Sequence, residues 1–342
     1  MIPVWISIPS PGQTACSPAI STTPEHPDPL DWTLALAKLN PAKLNPDKLN
    51  WKVILPAFLL LSFAFPLFPQ ATTHAQSTPA AIFTDPLPDK AHPAKMTVLH
   101  IPTHGLLING LVYQPSGAGL HPTIVICHGL PGNEKNLDLA QALRRAGWNA
   151  VTFNYRGSWG SPGSFRFAQN LEDAAAVLDY LRTPSNAAAL GVDTRRMVLA
   201  GHSMGGWVTA MTAAKDPALA GAILISAADM GRQGPTRDQL VAVMADNMES
   251  LAGVTPQTMA DELTSHAKAF SIENAAPGLV KLPLLVISSD DGLAPEADAL
   301  VKSIRDRGGK NLQTAHLSTD HSYSDQRIAL EAEVLQWLSD LK

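Results

Sequence analysis

Cysteine is scarce in this chain: Cys16 and Cys127 are the only two in 342 residues. So few thiols exclude a disulfide framework, and no Cys/His cluster has the spacing of a zinc site. Charge is sparse too. Only 16% of residues are charged, the net charge is −5, and no block of like sign occurs. That leaves little from which to build a nucleic-acid groove or a basic membrane patch, so no nucleic-acid partner is expected. No apolar run reaches the ~20 residues that a membrane-crossing helix needs. The 45% hydrophobic content and the length are sufficient for one large α/β domain with extra segments, or for two domains.

The first ninety residues differ from the rest. Residues 1–52 are rich in Pro, Ser, Thr and Asn and carry a short repeat at Lys38-Leu-Asn-Pro, Lys43-Leu-Asn-Pro and Lys48-Leu-Asn. Proline at every fifth position forbids a continuous helix, so this stretch reads as disordered or as an untranslated leader, with the start codon nearer Lys48. Val53–Phe68 is apolar, follows Lys48 and Lys52, and is broken by Pro56 and Pro66. Small residues at Thr73 and Ala75 flank His74 in the manner of a signal-peptidase site, with Gln76 next. Residues 53–75 therefore read as a secretory signal peptide and 76–95 as a linker. Contact with a membrane is expected only if Val53–Phe68 stays uncleaved as an anchor.

From Met96 to the end, strand-like and helix-like periodicities alternate. Met96–Ile101 and Leu106–Tyr113 read as an antiparallel pair. Thr123–Cys127, Asn149–Asn154, Met197–Ala200, Ala222–Ser226, Leu284–Ser288 and Leu312–Leu317 read as further strands. Helices are expected at Glu134–Ala146, Gln169–Arg182, Met204–Lys215, Pro295–Arg307 and Ser324–Leu341, with Thr183-Pro184 closing the second of these. Such alternation predicts an α/β domain over 96–342, with a mostly parallel central sheet and helices on both faces. Residues 230–281 break the rhythm with helical stretches near Arg237–Leu251 and Gln257–Phe270, and are expected to form a small helical cap over the carboxyl ends of the strands.

The chemistry centres on Gly201-His-Ser-Met-Gly205, where an apolar strand turns directly into a helix. This is the Gly-x-Ser-x-Gly context of a nucleophile elbow, with Ser203 exposed on the turn. A serine needs a base, and the base needs an acid that fixes its tautomer. His321, on a polar loop after the last strand, is the candidate base. His316 lies within that strand and is expected to be a buried structural residue, His202 points away from the hydroxyl, and His266 belongs to the cap. The acid is expected after the Leu284–Ser288 strand, where the spacing to Pro295 selects Asp291 over Asp290; Asp320 is poorly placed. Oxyanion donors are expected at the backbone N–H groups of Met204 and of Leu130, the latter in His128-Gly-Leu-Pro-Gly132, where Pro131 has no N–H. Trp159, Phe165 and Phe167 either line an acyl pocket or pack their loop on the sheet. Arg156 reads as a structural hydrogen-bond donor.

With these residues assembled, Met96–Leu341 resembles the α/β-hydrolase superfamily, and within it the dienelactone-hydrolase-like and serine-aminopeptidase-like bacterial hydrolases. The resemblance rests on the His128–Gly132 turn, the Gly201–Gly206 elbow, Asp290-Asp291 followed by Pro295, the late His321, and Tyr155–Gly163. Dienelactone hydrolases carry a cysteine where Ser203 stands. The resemblance implies a serine hydrolase that cleaves an ester, or alternatively a short peptide, through an acyl-enzyme. Transfer of the acyl group to an alcohol and a non-catalytic binding role are the remaining alternatives. No metal or organic cofactor is required.

Export has a direct check. Sequencing the amino terminus of the protein recovered from its native host is expected to give Gln76 as the first residue, in the periplasmic or extracellular fraction. A cytosolic protein with an intact Val53–Phe68 segment would contradict it.

Overall fold

The computed structural model describes residues 78–232 and 234–341. The readings for 1–52 and 53–75 therefore lie outside the described residues. Among those described, no helix is long and apolar enough to cross a membrane.

Eight strands form one sheet: β1 (Lys95–Thr103), β2 (Leu106–Gln114), β3 (His121–Cys127), β4 (Asn149–Phe153), β5 (Val192–His202), β6 (Gly221–Ile225), β7 (Leu284–Ser289) and β8 (Leu312–Leu317). Their spatial order is β1-β2-β4-β3-β5-β6-β7-β8. β1 pairs antiparallel with β2, and β2 antiparallel with β4; every other neighbour is parallel. The helices are α1 (Leu137–Arg145), α2 (Phe167–Arg182), α3 (Pro184–Leu190), α4 (Met204–Ala213), α5 (Arg237–Ala245), α6 (Pro256–Phe270), α7 (Ala276–Leu279), α8 (Ala294–Asp306) and α9 (Arg327–Asp340).

The central strands are apolar on both faces because both faces are covered. Ile124, Ile126, Val198, Ala200, Ile223 and Ile287 pack with Leu139 and Leu143 of α1 and Leu330, Val334 and Leu338 of α9. The alternate residues Val125, Cys127, Leu199, Leu224 and Val286 pack with α2, α4 and α8 through Leu178, Trp207, Val208 and Leu300. Burial on this second face pushes the Cys127 thiol up to about 12, so it stays protonated and acts as a small apolar side chain.

Three departures from the sequence reading have local causes. Pro184 starts α3 instead of merely closing α2, because the first turn of a helix needs no N–H from that residue. Gly191, at φ 65°, then ends α3 and lets β5 begin at Val192, with Arg195 and Arg196 as its exposed residues. α1 begins only at Leu137, since Asn136 sits at φ 54° and cannot be helical.

Residues 80–82, within the expected linker, are docked onto the domain. They form a 3₁₀ turn whose Ile82 is buried. Arg145 at the end of α1 donates to the carbonyls of Ala81 and Ile82.

Between β6 and β7 lie α5, α6, a 3₁₀ turn and α7, with no strand in the sheet. Trp207 of α4 donates its indole N–H to the Phe270 carbonyl at 2.6 Å and packs edge-on against the Phe270 ring. The Asp229 carboxylate accepts from the N–H groups of Gly231 and Ile272, closing the base of the insertion. Residues 246–253 are a loop, where helix had been expected to Leu251. Ser158 and Leu251 form an isolated bridge, and Ala252 N–H donates to the Gly157 carbonyl at 2.7 Å. The insertion thus reaches the loops at the carboxyl end of the sheet.

Replacing Ile82 by Ala is expected to lower the unfolding free energy by about 2 kcal/mol, the low end of the range for a buried isoleucine. Urea unfolding measures it, and an unchanged midpoint would restore the linker reading.

Candidate active site

Strand β5 runs into α4 with one residue between them. That residue, Ser203, has φ 58° and ψ −124°, a conformation most side chains avoid. The turn is this tight because its flanks carry no Cβ. A Cβ on Gly201 would collide with the Gly205 carbonyl, and one on Gly205 with the carbonyls of Cys127 and His128. Ser203 is part-exposed, while its neighbours Gly201, His202, Met204 and Gly205 are buried.

His321 follows β8 and is 39% exposed; the Asp291 side chain, after β7, is 2% exposed. His321 Nδ1 donates to Asp291 Oδ2 at 2.7 Å. Burial pushes the Asp291 carboxyl upward, but hydrogen bonds from His321, the Leu293 N–H and the Ser226 hydroxyl outweigh it and hold the group below its ordinary value. Asp291 is therefore an anion at neutral pH. Behind it, Ser226 Oγ is 2.9 Å from both Ser289 Oγ and the Tyr323 hydroxyl. Nothing in the sequence pattern signalled this network.

His202 brings the two halves together. Its Nε2 donates to the His321 carbonyl at 2.7 Å, and the two imidazole centroids are 4.6 Å apart. The side chain of the residue before the nucleophile therefore packs on the ring of the candidate base. The Ser203 hydroxyl itself makes no hydrogen bond among the described residues. Apo sites often leave this contact open until substrate is present.

The loop after β3 lies against the serine. A Cβ placed on Gly129 would stand 3.0 Å from Ser203 Cβ and 3.6 Å from its Oγ. Neither Leu130 N–H nor Met204 N–H donates to a protein acceptor among the described residues.

Other sequence candidates are elsewhere. Asp290 is 60% exposed and bonds His316 Nε2 at 2.9 Å. His316 is 47% exposed, not buried as expected, because β8 is the edge strand of the sheet. Asp320 caps its own turn by accepting from Ser322 and Ser324 N–H. His266 stacks on Phe270 in the insertion. Phe165 and Phe167 are fully buried against each other, so they pack their loop. Arg156 is buried and donates through Nε to Asp173 and through Nη2 to Glu172, both at 2.6 Å.

A cavity of about 290 Å³ is lined by Met230, Leu240, Met244 and Leu263 of the insertion and by Ala228, Leu293 and Glu296. Ala228, one of its lining residues, donates its N–H to the Ser203 carbonyl, while neither Ser203 nor His321 lines it. A larger cleft of about 470 Å³ lies between α2 and α4, lined by Arg182, Thr212 and Lys215. Thr212 is nine residues along from Ser203, on the order of 13 Å at helical rise, so that cleft is remote from the elbow. Among the described residues, no group of three or more His, Cys, Asp or Glu is placed to hold a metal ion.

A serine on a strand–helix elbow of a mostly parallel, two-sided sheet, with a histidine–aspartate pair beside it, defines an α/β enzyme-type architecture. The family model for alpha/beta hydrolases matches residues 124–329, and the chain belongs to that family. An uncharacterized protein of Mycobacterium tuberculosis is 29% identical over 126 residues, covering 36% of this chain and 43% of its own length. An uncharacterized 31.7 kDa protein of Escherichia coli is 34% identical over 107 residues, covering 30% and 36%. The chain thus matches less than half the length of these relatives. Among solved structures, the carboxylesterase EstE1 from a metagenomic library aligns with a TM-score of 0.56 at 23% identity, over 73% of this chain and 91% of its own. An acylaminoacyl peptidase of Pyrococcus horikoshii aligns at 0.55 and 17%, over 72% and 42%. At such identities the likeness shows the fold.

Two buried imidazoles give the site a pH signature. Burial holds His128 and His202 down at about 4, with Lys135 and His321 respectively reinforcing it. Unfolding returns each to its ordinary 6.5, so the unfolded chain takes up protons that the folded one refuses as pH falls below that value. This stabilisation is complete above pH 6.5 and is lost on the way down to about 4, at most roughly 3 kcal/mol per histidine. Glu331 works in the opposite sense between 4.5 and about 7, since burial and the Asp138 charge raise its carboxyl. Urea unfolding across this range is expected to show a shallower acid-side decline in His202→Gln than in the unsubstituted protein.

Proposed function

We propose that this chain is a serine hydrolase that cleaves esters through an acyl-enzyme, with Ser203 as nucleophile, His321 as base and Asp291 as acid. The observation that carries the reading is the 2.7 Å bond from His321 Nδ1 to a buried, ionised Asp291, on a histidine whose ring packs against the residue preceding Ser203. With Nδ1–H committed to Asp291, the lone pair of the neutral ring is on Nε2, the tautomer a general base needs. His321 Nε2 takes the Ser203 proton as Oγ attacks the carbonyl carbon. The Leu130 and Met204 N–H groups stabilise the oxyanion, and the imidazolium then returns its proton to the departing alkoxide. Water, deprotonated by the same nitrogen, then attacks the acyl-enzyme carbonyl, and the imidazolium gives that proton to the departing Ser203 Oγ as the acid is freed.

What supports ester over peptide is the apolar part of the cavity bounded by Ala228, where Met230, Leu240, Met244 and Leu263 suit a short apolar acyl group, with Asp229 and Arg232 in the remaining wall. One feature favours the second reading, an aminopeptidase-like amide hydrolase. Glu296 lines the same cavity, its Oε1 paired with Arg232 at 3.0 Å and its Oε2 buried with no partner among the described residues, an arrangement compatible with a substrate amine. The segment Val53–Phe68 leads us to place the activity outside the cytosol.

Short-chain p-nitrophenyl esters and aminoacyl amides, assayed side by side, test this. Ser203→Ala is expected to lower ester kcat by on the order of 10⁴-fold or more and to abolish fluorophosphonate labelling; Asp291→Asn is expected to lower kcat by ~10³–10⁴-fold with the protein still folded. Ester turnover that survives Ser203→Ala would end the proposal, and efficient amide cleavage with feeble ester cleavage would promote the second reading.

A further inference from the structure

The loop after β3 is held by its carbonyl groups. The His128 carbonyl accepts from the Tyr155 hydroxyl at 3.2 Å, and the Gly129 carbonyl from His128 Nδ1 at 2.7 Å. The Pro131 carbonyl accepts twice, from Trp159 Nε1 at 2.7 Å and from Ser250 Oγ at 3.1 Å. The Gly129 carbonyl shares a peptide plane with the Leu130 N–H, and the donors to the Pro131 carbonyl anchor the chain just beyond it, so the expected oxyanion donor is held from both sides.

Trp159 is itself placed with unusual care. Its backbone is at φ 48°, which a bulky side chain avoids unless its surroundings compel it. Its N–H donates to the Ser250 carbonyl at 3.0 Å, so both ends of the residue are engaged. Lys135 lies over the indole, with Nζ 4.2 Å from the ring centroid. A Cβ on Gly132 would come within 2.8 Å of Trp159 Nε1, which requires glycine there. Packing of its own loop needs none of this, since Phe165 and Phe167 already supply it and Trp159 remains 38% exposed. Ser250 belongs to the insertion, so one carbonyl joins the β3 loop, the Tyr155–Gly163 loop and the cap.

We propose that Trp159 is a positioning residue for the oxyanion hole. Its indole N–H, together with the Ser250 hydroxyl, holds the Pro131 carbonyl so that Leu130 N–H points at the developing oxyanion, and seating of the cap is thereby coupled to catalytic competence. The inference rests on the serine-hydrolase reading and extends it. An N–H that is misaimed loses most of its value in the transition state and little in the ground state, because the substrate carbonyl carries less charge than the tetrahedral oxyanion. The loss therefore belongs in kcat and in the affinity for a transition-state analogue.

The experiment compares Trp159→Phe, which keeps a ring and removes the N–H, with Ser250→Ala, the double variant and Ser203→Ala, on the full chain. Ester kcat and KM and inhibition by an alkyl boronic acid are measured. Trp159→Phe is expected to lower kcat about tenfold or more and weaken boronate inhibition in parallel, with KM within about twofold. Ser250→Ala is expected to act in the same direction more mildly, and the double variant to lose less than the product of the two, since both donors serve one acceptor. Unchanged kcat in Trp159→Phe, or a loss confined to KM, overturns the inference while Ser203→Ala still abolishes turnover. Turnover that survives Ser203→Ala instead overturns the reading beneath it. If Trp159→Phe does not accumulate as folded protein, Ser250→Ala decides by the same split between kcat and KM.

Discussion

At the end of β5 the main chain passes itself with no side chain between. Gly201 and Gly205 bring the strand–helix turn into backbone contact with the end of β3, where a single Cβ would strike a carbonyl group. Everything at the site follows from that approach. It lets α4 begin one residue after β5 ends, which forces Ser203 to φ 58° at a cost of about 1–3 kcal/mol. The surrounding cores offset that cost, since every residue of α4 is buried. It also sets the loop after β3 beside Ser203, with Gly129 close enough that any Cβ there would crowd the serine. Ser203 and the loop proposed to hold the oxyanion thus come together through one packing constraint, although seventy-odd residues separate them along the chain.

Two histidines of identical intrinsic chemistry diverge here through burial. His202 is 4% exposed and held down at about 4, so at neutral pH its ring is uncharged. Neutrality matters for the proposed mechanism, in which His321 becomes an imidazolium with its ring centroid only 4.6 Å away. Two like charges at that distance would repel by roughly 4 kcal/mol at an effective dielectric of 20. The neutral His202 instead supports its neighbour through packing and through a hydrogen bond to the His321 carbonyl. Among the described residues, the formal charge in hydrogen-bonding contact with the His321 imidazole is Asp291, already ionised and opposite in sign to the imidazolium of the proposed mechanism.

The strands and the elbow were legible because their physics is local. Apolar runs buried on two faces, and glycines on either side of a serine, leave a pattern that needs no knowledge of partners. The pairing of Asp291 with His321 could be anticipated from chain order and the distance to Pro295. What could not be read depended on tertiary neighbours. His316 looked like a core residue on a strand, yet β8 is the edge strand and leaves it half exposed beside Asp290. Trp159, Phe165 and Phe167 lie in one glycine-rich stretch, but two are fully buried and the third reaches the Pro131 carbonyl. The Ser226–Ser289–Tyr323 cluster behind Asp291 draws on three separate elements and carries no periodicity at all.

The insertion is fastened differently from the sheet. Its ties to the rest of the domain run largely through main-chain acceptors: Trp207 to the Phe270 carbonyl, Ala252 to the Gly157 carbonyl, Phe165 N–H to the Ala252 carbonyl, and Ser250 to the Pro131 carbonyl. A carbonyl oxygen is present whatever side chain its residue bears. None of these hydrogen bonds uses the side chains of Leu240, Met244 or Leu263, which line the insertion's cavity and hold it through apolar packing instead. Gly201 and Gly205 admit no Cβ because each abuts backbone, whereas the residues lining the cavity are constrained by apolar packing, in which one hydrophobic side chain of similar volume can stand for another.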